Sequence, residues 1–555
     1  MDHQFFEKRC HYSIRKFAIG AASVMVGASI FGASMVQAAE TESSLEAETS
    51  LTQLPPEDKL SPDLAGAIKS AEANFVSETK VEEVATKSQA PEETSSKPVE
   101  TKNSTVEVTS TTVENASTEV APTETNAVTE PTKPGEVNGT VEKADSFTAD
   151  KPASKAEIDA VKSKVAKKEY TVFPRPQKVT YGDGVTALEG KVNLVFSDGL
   201  DIYTRNRAKE VLQASNVSYT TSTKATEGAT NIFLGVRGKA PLAEKEVQDI
   251  SSGLYDKIDA YVLRVKDNKI SIVGKDTDAV FFGLTTLKQM LKESPVPVLR
   301  DVTVEDYAEV KNRGFIEGYY GNPWTKENRE ELMRYGGDLK LTQYFFAPKD
   351  DPYHNAKWRE LYPEEKMAEI RDLARVGNET KTRYVWTIHP FMHNKMRFDT
   401  DELYKQDLDV IKAKFTQLLD AGVREFGVLA DDAAWPVGGY NSYVRLMTDL
   451  TNWLTEQETK YSGLRKDMIF VPAWYMGQGT EDELRTLNER LPETVHLTLT
   501  GGKVWGAVDQ TFLTNLKKNL TEGGKKYRPI HFWINWPCND NTKQHLILGG
   551  GEKFL

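Results

Sequence analysis

Phe426-Gly427-Val428-Leu429-Ala430-Asp431-Asp432 is an apolar run closed by two acids. A run of this length that ends in charge reads as a strand buried on both faces, as strands of parallel sheets are. Carboxylates at the rim of a core are costly unless they are paired or used. Two carboxylates in unlike environments are what cleavage of a glycosidic bond requires. An Asp-Asp pair after a strand also suits an ordinary helix N-cap, and the pair alone leaves both readings open.

The surrounding sequence supplies the context. Similar strand-like segments recur at 314–316, 343–346, 384–388, 468–471, 496–499 and 531–534. Amphipathic stretches separate them; within 407–421, Leu408, Ile411, Phe415, Leu418 and Leu419 share one helical face. Strand alternating with helix predicts βαβ units on a parallel sheet, here an α/β fold of the (β/α)8 TIM-barrel type over residues 309–555. The barrel is expected to be truncated before its last β/α unit, because an eighth strand would lie beyond Leu555.

Polar residues fall where each predicted strand ends, the face on which barrels of this type assemble their sites. Glu317-Gly318-Tyr319-Tyr320-Gly321 follows the first, Ala347-Pro348-Lys349-Asp350-Asp351 the second, and His389 the third. Asp431-Asp432, Trp474-Tyr475, Thr500-Gly501-Gly502 and Asn535-Trp536-Pro537 with Asn539-Asp540 follow the others. Acids, a Lys, a Tyr, amides and several Trp are the parts of a sugar site, since indole rings stack on sugar faces while the polar groups bond hydroxyls. His389, and the rings Trp386, Trp505 and Trp536, read as structural parts of core or rim.

Residues 169–308 read as a small α/β companion domain, with strands at 192–196 and 231–235, a hairpin over 260–265 and 270–273, and helices after Asp201 and over 278–291. No group of acids or histidines at its strand ends marks it as catalytic. Residues 40–168 are rich in Thr, Glu, Ser and Pro, with Phe75 and Phe147 the only aromatics, and read as a disordered stalk. Residues 1–39 read as a signal peptide: Lys8, Arg9, Arg15 and Lys16 precede an apolar segment, and Val36-Gln37-Ala38 offers a small-residue cleavage site. Removal of that peptide leaves no stable membrane span and a single thiol, Cys538, so no internal disulfide is expected. The net charge of −12 argues against nucleic acid as a partner. No Cys/His spacing suggests a metal, and no cofactor is expected.

Two resemblances refine these expectations. Tyr12-Ser13-Ile14-Arg15-Lys16 with Gly20 and Ser23 resembles the extended YSIRK-type signal peptide of Gram-positive surface proteins, which implies secretion and, in a full-length form, cell-wall attachment. The blocks 313–321, 347–354 and Asp431-Asp432, with 499–506 and 533–540, resemble glycoside hydrolase family 84, closest to its bacterial secreted β-N-acetylglucosaminidase and "hyaluronidase" branch, related to the O-GlcNAcases. The resemblance implies retaining, substrate-assisted hydrolysis of β-linked N-acetylglucosamine (GlcNAc) without a metal. Asp431 would orient the substrate's acetamido group, Asp432 would act as general acid and then base, and Tyr475 would bond the acetamido oxygen. Gly318, Lys349, Asn535 and Asp540 would bind sugar hydroxyls, Trp533 would wall the acetamido pocket, and Val471 and Thr500 would line it. The chain departs from the family at Trp474, where many members carry Glu. Expected partners are GlcNAc-bearing glycans or hyaluronan. An endo-acting hyaluronan hydrolase and a surface glycan-binding protein without turnover are the alternatives.

Overall fold

The computed structural model describes residues 144–318, 323–348, 351–504 and 506–535. Within the smaller, N-terminal sheet the order is β1 (Ser146–Phe147), β4 (Ser218–Ser222), β3 (Lys191–Phe196), β5 (Asn231–Val236), β7 (Lys269–Gly274), β6 (Ile258–Lys266), β8 (Val298–Ala308) and β2 (Lys178–Ala187). The β6–β7 hairpin is antiparallel, whereas β3, β5 and β7 run parallel. Helices α1 (Lys155–Val165), α2 (Ile202–Ala214) and α4 (Thr277–Lys292) accompany this sheet, with a short α3 (Pro241–Lys245). Asp201 caps α2 and Asp276 caps α4 through their side chains.

The N-terminal edge of this unit differs from the stalk expectation. Ser146 and Phe147 pair with β4, and α1 is closed by a Ser154/Glu157 capping box. Ile158 and Val165 of α1 are buried with Val298. Apolar contacts of Phe147, Ile158, Val161 and Val165, strand pairing and a cap order a segment whose composition is otherwise that of a solvated chain. The remainder of the expected stalk and the signal peptide lie outside the described residues.

The second sheet is wholly parallel and follows chain order: β9 (Gly314–Glu317), β10 (Gln343–Phe346), β11 (Arg383–Ile388), β12 (Glu425–Leu429), β13 (Met468–Val471), β14 (Val495–Leu499) and β15 (His531–Phe532). Between them run α5 (Lys326–Asp338), α6 (Glu364–Thr380), α7 (Asp401–Asp420), α8 (Tyr440–Gln457), α9 (Asp482–Arg490) and α10 (Gln510–Leu520). This is the curled sheet of a (β/α)8-type barrel, with its strands on the predicted apolar segments and α7 over the predicted amphipathic stretch.

Strand alternation divides the core in two. Phe315, Tyr344, Phe346, Tyr384, Trp386, Phe426, Val428 and Phe470 pack outward against the helices, where Phe415 of α7 stacks on Phe426 at 4.3 Å. Ile316, Phe345, Val385, Leu429, Ile469 and Val471 face inward with Trp533. Neighbouring strands end in register, Leu429 opposite Val471 and Phe346 opposite Glu317. Residues just beyond these ends therefore share one rim.

The opposite side of the sheet is held to the N-terminal unit by buried ion pairs. Asp278 of α4 meets Arg383 at 2.6 Å, Lys381 at 3.0 Å and Arg465 at 3.6 Å. Lys340 bonds both Asp306 and Tyr261 at 2.9 Å, and Arg313 bonds Asp259 at 2.8 Å. Burial pushes the Asp278 carboxyl up, but Arg383, Lys381 and Arg465 outweigh it and hold it well below the usual carboxylate range. Among the described residues no helix is long and apolar enough to cross a membrane.

Because its folded value is depressed, Asp278 contributes stability that is full above the unfolded carboxyl pKa of about 3.9 and is lost as pH falls below it. Asp278→Ala leaves the buried Arg383 without its bonded carboxylate, while Lys381 and Arg465 keep Asp201 and Glu425, and should cost about 3–5 kcal/mol near neutral pH. Denaturant titration of both chains at pH 7 and pH 3 measures this; a cost below about 1 kcal/mol at pH 7 contradicts it.

Candidate active site

The rim beyond β12 is built by the strand's own alternation. Leu429 faces the barrel interior, so Asp431 continues that inward face, and its side chain is 8% exposed. The backbone then turns left-handed at Asp432, φ 58°, and places this second acid at the exposed surface. Adjacent carboxylates thus occupy unlike environments. The strand end is fixed from two sides: Ala430 N–H donates to the Val471 carbonyl at 2.8 Å, and His389 Nε2–H donates to the Asp431 carbonyl at 2.7 Å. A carbonyl only accepts, so Nε2 of His389 carries the proton.

His389 is itself fully buried. Its backbone N–H donates to the His354 carbonyl at 2.8 Å, and the two imidazoles meet edge to face at 6.2 Å. His354 Nδ1–H donates to the Thr387 carbonyl at 2.8 Å. The histidine read from sequence as structural clamps the turn that carries Asp431 and Asp432. Only its strand-end position hinted at this.

Tyr475, beyond β13, donates its hydroxyl to Asp432 Oδ1 at 2.9 Å and packs beside the interior cluster of Val471 and Trp533. The Thr500 N–H donates to the Tyr475 carbonyl at 2.9 Å, and the Thr500 hydroxyl donates to the Lys503 carbonyl at 3.0 Å. Asn535 Nδ2 donates to the Val504 carbonyl at 3.1 Å. Thr500 and Asn535 thus tie the loop after β14 to its neighbours. Trp533 is buried, and a Cβ added to Gly318 would lie 2.3 Å from its ring, so only glycine admits that close approach. Asp431, Asp432, Tyr475, Gly318, Val471, Thr500, Trp533 and Asn535 are accordingly carried by strand ends of one sheet. Lys349 and Asp540 lie outside the described residues, as do Trp505 and Trp536.

The loop that follows β10 rests on a buried amine that sequence reading overlooked. Lys414 of α7 donates to the Tyr353 carbonyl at 2.8 Å beneath the rings of Tyr353, Tyr362 and Trp386. Burial brings its amine down to about 7. Asp351 in the same loop accepts from the Tyr362 hydroxyl at 2.6 Å and the Tyr353 N–H at 2.8 Å, and burial raises its carboxyl above the usual range. At the end of β9, Glu317 is buried in a bidentate pair with Arg329 of α5, both contacts 2.9 Å. Glu317 faces the helices and serves as a structural anchor beneath Gly318.

Comparison with known proteins fits this geometry. Residues 313–554 match the family described as beta-N-acetylglucosaminidase, residues 169–307 match glycosyl hydrolase family 20, domain 2, and residues 7–32 match the YSIRK type signal peptide. Protein O-GlcNAcase of Rattus norvegicus and that of Mus musculus are each 27% identical over 248 residues, 42% of this chain and 25% of theirs. The chain thus spans about a quarter of the length of these curated relatives. Among solved structures, CpGH84D is 39% identical with a TM-score of 0.62, over 67% of this chain and 61% of that one. CpGH84B is 25% identical with a TM-score of 0.57, over 68% and 64%. The parallel sheet whose strand ends carry Asp431, Asp432 and Tyr475 thus lies in a region, residues 313–554, of the beta-N-acetylglucosaminidase family, similar to the CpGH84D and CpGH84B structures and preceded by a YSIRK-type signal peptide.

Proposed function

We propose that this chain is a secreted glycosidase that removes β-linked N-acetylglucosamine from glycans, with retention at the anomeric carbon and the substrate's own acetamido group as nucleophile. One observation carries the reading: Asp431 is buried on the inward face while Asp432 is exposed in a left-handed turn beside Tyr475. The family of residues 313–554 supports the sugar, and the signal-peptide match supports export.

In the first step Asp431, as an anion, accepts from the acetamido N–H and raises electron density on the carbonyl oxygen. That oxygen bonds to C1 as the glycosidic C1–O bond breaks, and Asp432 passes its proton to the departing oxygen. The product is a bicyclic oxazolinium ion whose N–H stays bonded to the Asp431 carboxylate. In the second step water bonds to C1 and gives a proton to the Asp432 carboxylate, while the C1–O bond to the acetamido group breaks. Two inversions leave the sugar β, one of the exceptions to a protein nucleophile. Tyr475 is the neighbouring hydroxyl that can bond the acetamido oxygen and hold it in line. Val471 and Trp533 wall the pocket, and Gly318 lets a sugar approach the backbone. Thr500 and Asn535 shape the loop that borders it, and Lys349 and Asp540 take hydroxyl-binding roles through the family resemblance.

Asp432→Ala should lower kcat/KM by ~10²–10⁴-fold on an aryl β-N-acetylglucosaminide with a poor leaving group, and far less on an activated one that leaves without a proton. Equal rates for variant and wild type refute the acid assignment; cleavage of hyaluronan with no action on the aryl glycoside refutes the exo-acting reading. Gly318→Ala drives a methyl into the Trp533 ring and should raise KM about tenfold with kcat little altered. An unchanged KM would show that the sugar does not use this wall.

A further inference from the structure

Most large apolar side chains are buried, but Trp435 is 53% exposed, Val437 57% and Trp474 46%. All three belong to the rim loops after β12 and β13. Trp435 follows Asp432 in its loop, and Trp474 directly precedes Tyr475, which bonds Asp432. The exposed rings therefore belong to the two loops that carry Asp432 and its hydrogen-bond partner Tyr475.

Their placement is fixed by one buried carboxylate. Glu483, in the first turn of α9, is 2% exposed. It accepts from the Trp435 indole N–H at 2.9 Å and from the Ala473 backbone N–H at 3.1 Å. A single side chain thus spans both loops and brings one tryptophan beside the backbone that carries the other. The Trp435 ring also meets Tyr440 edge to face at 5.9 Å. Gly477 gives Trp474 its seat, because a Cβ there would lie 2.8 Å from the indole. Glu481 accepts from the backbone N–H of Gln478 and Gly479, which holds the loop between them in a fixed turn. Held on these two loops, each indole stays about half exposed.

We propose that Trp435 and Trp474, clasped by Glu483, form the leaving-group side of the site and stack a neutral pyranose joined to the scissile oxygen. The inference rests on the hydrolase reading above. Sugar C–H faces suit exposed indole faces. With the Trp435 N–H already committed to Glu483, that ring offers its surface rather than a donor. A peptide aglycone would bring backbone amides that indole faces cannot satisfy. Glu481 and Asp482 make the neighbourhood acidic and favour a neutral sugar over a uronate.

The test uses the full chain with a β-1,4-linked GlcNAc disaccharide, methyl β-N-acetylglucosaminide, a GlcNAc-bearing serine peptide and hyaluronan oligosaccharides. Trp474→Ala and Trp435→Ala should each lower kcat/KM on the disaccharide about tenfold and leave the methyl glycoside within about twofold. Trp474→Phe and Trp435→Phe should recover most of the loss, which separates ring stacking from misfolding. Equal losses on disaccharide and methyl glycoside, or losses confined to the glycopeptide or to hyaluronan, overturn the proposal. Disaccharide affinity is also read by calorimetry in an Asp432→Ala background with and without Trp474→Ala. A wild type inactive on every substrate would sink the hydrolase reading, while a tenfold affinity difference in that background would still uphold the platform.

Discussion

A left-handed backbone at Asp432 lies three residues beyond a strand that is buried to its last residue, Leu429. Such a conformation costs an ordinary L-residue roughly 1–2 kcal/mol, and Asp is among the few that adopt it routinely. The turn breaks the alternation that would otherwise send consecutive side chains to opposite faces of a sheet. It lets Asp431 continue the inward face while Asp432 emerges at the surface. His389 and Val471 hold the backbone on either side of the turn. Tyr475 then has an exposed carboxylate within hydrogen-bonding distance. Without that turn, alternation would send the Asp432 side chain toward the helix-packed face rather than to the rim.

The scaffold keeps stability and chemistry on opposite ends of the sheet. Asp278, Asp306 and Asp259 of the N-terminal unit meet Arg383, Lys340 and Arg313 near the starts of the strands. These buried pairs are costly to break, and they lie away from the rim where the strands end. On that rim the residues are held by short polar ties: Thr500 to Tyr475, Trp533 to Leu499, Glu483 to Trp435. Loops braced in this way can present exposed aromatic rings beside a charged pair, an arrangement that a packed core would not permit.

Much of this was legible in the sequence because it depends on local pattern. The strands from Gly314 to Phe532 announce themselves by apolar runs, and α7 by the spacing of Leu408, Ile411, Phe415 and Leu418. Asp431-Asp432 stood out because charge rarely follows so apolar a run. The contacts that hold the site were not legible, because their partners are far apart in the chain. Arg383 bonds Asp278 across 105 positions, and Trp435 bonds Glu483 across 48. His389 gave no signal beyond its place at a strand end, since a backbone carbonyl acceptor leaves no mark on the sequence. Lys414 was hidden within an amphipathic helix that reads as ordinary. The ordered segment from Ser146 to Val165 was obscured by composition: a few apolar contacts, Ile158 foremost, outweigh the polar residues around them.

The central claim is that the acid pair serves a nucleophile belonging to the substrate, so that the anomeric carbon inverts twice. Proton NMR of the sugar first released from a GlcNAc β-glycoside, followed before mutarotation, reads this directly. The account predicts that the β anomer appears first and the α anomer grows in only later. The α anomer appearing first would mean a single displacement by water and would contradict it.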